Sequence, residues 1–173
     1  MPQLNNTITP SQSNSSSEIL PQIREATIED LDIITQYTLA LNQHEDDRLI
    51  PAHQDFEHNL KNWLALELKN SQSLFLLAEK NNRAIGFIGA SSVINDNGFL
   101  ANPVKGLIQL LWVDNSVRRH NVAAKLVEEI ELCFKQVGIE YIECSYTCIN
   151  NVAKIFWDTL GYSGHSITAR KFI

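Results

Sequence analysis

Arg118 and Arg119 stand side by side in the segment Val113-Asp-Asn-Ser-Val-Arg-Arg-His-Asn-Val-Ala-Ala124. An apolar run, Val104–Val113, precedes them and reads as a strand. Val122, Leu126, Ile130 and Val137 then recur at helical spacing as far as Gly138. The arginine pair therefore falls where a helix begins. Cations at the positive end of a helix dipole cost a few tenths of a kcal/mol each, whereas the free amides there favour an anion, above all a phosphate. An exposed turn whose arginines meet water is the plain alternative. The dipole conflict, together with the small Ala123 and Ala124 that leave the backbone approachable, favours an anion site in which a pyrophosphate lies between the two cations.

A second set of chemical groups is acidic. Residues 18–57 hold ten acids against two bases, a net −8, which leaves +2 for the rest of a chain whose total is −6. Glu45, Asp46 and Asp47 are consecutive within it. Such a split fits one half that faces something cationic and another that tolerates an anion, although acids on solvated helix faces would give the same count. A third segment, Asn150-Asn-Val-Ala-Lys-Ile-Phe-Trp-Asp-Thr-Leu-Gly-Tyr162, is a capped amphipathic helix that stops at a glycine. His44, His53, His58, His120 and His165 show no ligand spacing, so no metal site is expected. Cys133, Cys144 and Cys148 show neither metal spacing nor a disulfide framework, which suits a reduced, cytoplasmic setting.

These groups must be positioned by one domain, since 173 residues leave room for little more. Hydrophobic residues at 44 % and charged residues at 20 % are ordinary for a globular chain. No run approaches the ~18 apolar residues of a membrane span, and the acidic balance argues against nucleic acid. Residues 1–21 are polar, lack Lys and Arg, and read as a tail, with neither a secretory nor a mitochondrial leader pattern. A second copy of the chain, in a homodimer, is one candidate for holding that tail. Residues 22–173 then form the domain. A short strand at 22–27 leads to Thr27 and Asp30, a capping-box pair that opens a helix running to about Gln43. The spacing predicts a second helix at 55–69 and a hairpin of strands at 74–79 and 84–93 about Lys80-Asn-Asn-Arg83. Gly86 and Gly89 in the second of these strands imply close backbone approach. The nearly continuous apolar Val104–Val113 reads as a central strand. A strand at 139–146, a helix at 150–160 and a short strand pair after Gly161 complete an α/β domain with a mixed, mostly antiparallel sheet flanked by helices.

Together the pieces resemble the GCN5-related N-acetyltransferase (GNAT) family, whose members move an acyl group from acetyl-coenzyme A to an amine. Arg24-x-Ala26-Thr27-x-x-Asp30 is similar to the family's opening. Val113, followed by Arg118-x-x-Asn121-x-Ala123 and Leu126, is similar to its coenzyme A motif, and Asn150-x-x-Ala153 with Phe156, Trp157, Gly161 and Tyr162 to its closing motif. The resemblance covers residues 22–162. It implies that the backbone of Leu111, Trp112 and Val113 bonds the pantetheine arm along a splayed strand edge. It further implies that the amides of Arg119, His120, Asn121, Val122, Ala123 and Ala124 hold the pyrophosphate, with Arg118 alongside. Asn150 would bond the arm, and Ala153, Phe156 and Trp157 would pack against it.

Three positions depart from the family pattern. Asn121 stands where glycine is usual, and asparagine is among the residues that best tolerate a left-handed backbone. Trp157 stands where many members carry a tyrosine acid, and an indole is no useful acid. Gln109 lies where members often place a basic carboxylate. Glu143 and Tyr146 are the remaining candidates for proton transfer, and Glu45, Asp46 and Asp47 for the acceptor. The expected activity is acetyl transfer from acetyl-coenzyme A to a small-molecule or peptide amine that is cationic in solution, with no metal, nucleic acid or membrane partner. A coenzyme A-binding module without turnover is the alternative from another class, and transfer to a hydroxyl is a third.

Overall fold

Thr27 opens the helical part of the chain as its spacing to Asp30 predicts. Its backbone N–H donates to Asp30 Oδ2 at 2.8 Å, and its hydroxyl accepts from the Glu29 amide at 3.3 Å. This box caps a 3-10 turn, Ile28–Asp30, that continues into helix α1, Leu31–Glu45. The computed structural model describes residues 21–45, 50–94 and 98–172. Before the turn lies strand β1, Gln22–Glu25, and after α1 come helix α2, Phe56–Glu67, and strands β2, Ser73–Lys80, β3, Arg83–Ile94, and β4, Val104–Val113. Helix α3, Val122–Gln136, strand β5, Ile142–Cys144, and helix α4, Asn151–Thr159, follow.

The strands form one sheet in the order β1-β2-β3-β4-β5, antiparallel throughout except for the parallel pair β4–β5. Asn81 and Asn82, with φ of 54° and 59°, make the β2–β3 turn, since two left-handed residues match the strand twist. Alternation along β2 buries both faces. Leu76 and Ala78 join Ile88, Leu126 and Ile130 beneath α3, while Phe75 and Leu77 join Ile34, Leu64 and Phe87 beneath α1 and α2. Gly89 is needed because a Cβ there would lie 2.7 Å from the Phe75 ring. Arg24 ties β1 to the helix start and to β2, bonding Asp30 with two nitrogens at 2.8 Å and Glu79 at 2.7 Å. Those bonds hold the Asp30 carboxyl down to about 2.

Two expectations about β4 and its neighbours need correction. β4 is interior rather than central. It has β3 along its whole length, but β5 pairs it only at Gly106↔Ile142, Leu107↔Glu143 and Ile108↔Cys144. The strand expected over 139–146 shrinks to three residues, because Ile139 donates to the Phe134 carbonyl at 3.0 Å and closes the end of α3 instead. The strand pair expected after Gly161 is not present among the described residues. That run is mostly Ser, Gly, His and other polar residues, and its apolar Ile167 and Phe172 are both exposed, so no buried face holds it in a ladder.

Candidate functional site

β4 carries one residue more than β3 at its middle. Gly89 pairs with Leu110 and Ala90 with Ile108, which leaves Gln109 as a bulge. The extra residue reverses the alternation. Ile108, Leu111 and Val113 face the α3 side, while Leu110 and Trp112 face α1 and α2. It also bends β4 as its pairing with β5 ends. Beyond Ile108 and Cys144 the parallel strands part, and the edge of β4 from Gln109 to Val113 borders a groove of about 700 Å³. Backbone groups on that edge have no β5 partner, and an extended amide-bearing chain is what such an edge bonds.

At one end of the groove lies the turn into α3. Arg119 and Asn121 adopt φ of 68° and 59°, and α3 starts at Val122. The Asn121 side chain makes no capping bond, so the first-turn amides of Val122, Ala123 and Ala124 have no side-chain cap. Arg118 donates from Nε to the Val113 carbonyl at 3.2 Å and lays its guanidinium over the Trp112 ring, 4.8 Å from the centroid. The charge expected beside the amides is therefore anchored at the end of β4, still on the groove wall.

α4 and the last turn of α1 also line the groove. Asn150 works in both directions: its Oδ1 accepts from the Ala153 amide at 3.0 Å and caps α4, while its Nδ2 donates to Glu45 Oε1 at 3.3 Å. Trp157 is buried edge-on between Phe156 and Tyr162, with centroids 5.0 and 4.9 Å away. The Tyr162 hydroxyl donates to Glu131 at 2.9 Å, and burial together with that carboxylate pushes its phenol well above the ordinary range. Burial pushes the Cys144 thiol up to about 11.

The groove gathers most of the residues singled out in the sequence. Leu111, Trp112, Val113, Arg118, Arg119, Asn121, Val122, Ala123, Ala124, Asn150, Ala153, Phe156 and Trp157 all line it, as do Glu45 and Tyr146. His120 belongs to the turn but not to the lining. Asp46 and Asp47 lie outside the described residues. Glu143 is not brought in. Strand alternation sets it on the face opposite Ile142 and Cys144, and its carboxylate is ion-paired with Lys105. Sequence reasoning missed His44, which lines the groove with its ring edge-on to Trp112 at 6.0 Å. Ending α1 at Gln43 hid it. Continued to Glu45, the helix places Leu41, His44 and Glu45 on one face, at i, i+3 and i+4.

Among the described residues, no three or more His, Cys, Asp or Glu side chains are grouped to hold a metal ion, and no helix is long and apolar enough to cross a membrane. Residues 35–162 match the model of the acetyltransferase (GNAT) family. The chain belongs to the GNAT family. No curated protein matches this GNAT chain. Among solved structures it is similar to a predicted acetyltransferase with acetyl-CoA from Clostridium acetobutylicum, at 15 % identity and TM-score 0.75, over 88 % of this chain and 96 % of that one. It is similar to a GCN5-related N-acetyltransferase from Ralstonia eutropha at 17 % identity and TM-score 0.72, over 88 % and 98 % of the two chains. It is likewise similar to an aminoglycoside antibiotic 6′-N-acetyltransferase from Acinetobacter haemolyticus, at 19 % identity and TM-score 0.69, over 88 % and 99 %. Identities this low establish a shared fold. Within the GNAT pattern, Asn121 takes the left-handed geometry that a glycine would adopt freely, and Trp157 fills core space instead of presenting an acid.

Proposed function

We propose that this GNAT chain transfers an acetyl group from acetyl-coenzyme A to a small amine that is cationic in solution, in a cytoplasmic setting. The observation that carries the reading is the continuity of one groove from the uncapped amides at the start of α3, along the unpaired edge of β4, to the Glu45 carboxylate at the end of α1. In this reading the amides of residues 122–124 hold the pyrophosphate, and Arg118 and Arg119 supply positive charge on the wall beside them. The β4 edge about Leu111 bonds the pantetheine arm, and Ala153 and Phe156 pack against it. Asn150 holds Glu45 in place, and Glu45 attracts the ammonium of the acceptor.

The chemistry asks two things of the side chains. An alkylammonium with a pKa of about 10.4 leaves roughly one molecule in 2,500 free to attack at pH 7, so a proton must be removed. The departing thiol has a pKa near 8.5 and can leave as thiolate, so Trp157 need not act as an acid. In this reading Tyr146, a groove-lining residue, donates a hydrogen bond to the departing sulfur. Binding without turnover is the second reading. It is favoured by Glu143, the sequence's candidate base, being paired with Lys105 away from the groove. Calorimetry with acetyl-coenzyme A, followed by thiol release against a panel of polyamines, aminoglycosides and neutral amines, separates the two. Micromolar binding with release by cationic amines supports transfer. Binding with no release across the panel supports the module, and no binding refutes both.

A further inference from the structure

From the position of His44 on the groove wall, we propose that this side chain is the proton acceptor for the amine, a role that rests on the acetyl-transfer reading above. His44 lies in the last turn of α1, beside Glu45, and its ring meets the edge of Trp112 at 6.0 Å. Trp112 belongs to the α1 and α2 side of the sheet and borders the groove after the bulge at Gln109. His44 and Glu45 thus both line the groove, His44 against the Trp112 ring that also carries Arg118, and Glu45 against Asn150.

The other charged or titratable groove residues are Glu45, Arg118, Arg119, Cys144 and Tyr146. Guanidinium groups are not deprotonated in proteins. Cys144 keeps its proton, as burial pushes the thiol up to about 11. A phenol is a donor at neutral pH. Glu45 accepts from Asn150 and supplies the negative charge that retains the ammonium. His44 is the one imidazole among the described groove-lining residues, and a neutral imidazole nitrogen is a proton acceptor.

The step balances as follows. The ammonium gives one proton to the neutral imidazole. The nitrogen lone pair forms the C–N bond, and the C–S bond breaks with its electron pair on sulfur. The second nitrogen proton neutralises the thiolate, directly or through water, and the imidazolium returns its proton to solvent. The net products are the amide, the thiol and one proton.

The test uses His44→Gln and His44→Ala in the full chain, with His58→Gln, on exposed α2 surface, as control. For an amine that the wild type acetylates, kcat/KM at pH 7 should fall about 100-fold or more in both variants. Acetyl-coenzyme A affinity by calorimetry should be unchanged. The inflection on the acidic limb of the kcat/KM profile should vanish. Free imidazole should restore His44→Ala in proportion to its unprotonated fraction. The proposal is overturned if His44→Gln stays within about threefold of wild type, if the inflection persists in the variants, or if the loss tracks weakened acetyl-coenzyme A binding without rescue. A wild type that binds acetyl-coenzyme A yet acetylates no amine rejects the transfer reading itself. An active wild type with an equally active His44→Gln rejects only the role of His44.

Discussion

Gly106 sits opposite Ile142, on the rung of the β4–β5 pair farthest from the point where the two strands part. A Cβ at this position would lie 2.5 Å from Cδ2 and 2.6 Å from Cε2 of Phe134, and 3.0 Å from Cγ1 of Ile142. Ordinary contact begins at 3.4 Å, so the ring must retreat by about 0.9 Å in a close-packed interior. Phe134 is buried between α3 and the sheet, and its retreat displaces other core groups. Overpacking of this kind costs about 1–3 kcal/mol. At roughly 2–4 °C per kcal/mol for a chain of this size, Gly106→Ala should lower Tm by about 2–12 °C. Urea denaturation should show a lower midpoint with an unchanged slope. Phe134→Leu removes the ring carbons that the new methyl meets. The double variant should therefore lose less than the two singles combined, by about 1 kcal/mol or more. A Gly106→Ala protein that unfolds at the wild-type midpoint, or strict additivity in the cycle, would refute the steric account of this contact.

The Arg24–Asp30 contact makes stability sensitive to acid. Asp30 is held down to about 2 in the fold against 3.8 as its ordinary value, so the contribution is complete above about pH 4 and lost as pH falls toward 2. After discounting for the partly exposed Arg24 it is about 1–2 kcal/mol, and urea midpoints should show Asp30→Asn lacking that acid-dependent loss. Arg118→Ala should weaken acetyl-coenzyme A about tenfold, since a charge-assisted phosphate contact contributes roughly 1.5–3 kcal/mol. Unchanged calorimetric affinity would remove Arg118 from that role. Asn121→Gly should leave affinity for acetyl-coenzyme A equal or tighter and Tm equal or higher, because φ of 59° suits glycine. A tenfold loss of affinity would show that the asparagine side chain itself touches the ligand.

The sequence carried the elements whose signals are local. Thr27 and Asp30 announce the helix start through a box of four consecutive residues, and the Asn81-Asn82 turn is fixed by two residues that accept left-handed backbone. The arginine pair before a helix, with Ala123 and Ala124 behind it, led to the turn that borders the groove. Less local features were hidden. Gln109 is a bulge only because β3 is one residue shorter over the same span, and no property of Gln109 says so. Glu143 looked available until Lys105, 38 positions earlier in the chain, was brought against it by the parallel pairing. His44 was obscured by a helix end read two residues early, as terminal turns are the least determined part of a helix.

The brevity of β5 has a consequence for how the molecule opens. Three rungs hold β5 to β4, whereas β3 and β4 are paired at nine positions and β2 and β3 at eight. Amide exchange should therefore divide the groove down its length. The β4 amides bonded to β3 should exchange slowly, close to the rate set by global unfolding, while those of β5 and the start of α4 should exchange through a cheaper local opening. A ligand bridging both walls would then slow exchange mainly on the β5 and α4 side. On that side, occupancy acts as a missing strand partner would and raises the cost of local opening.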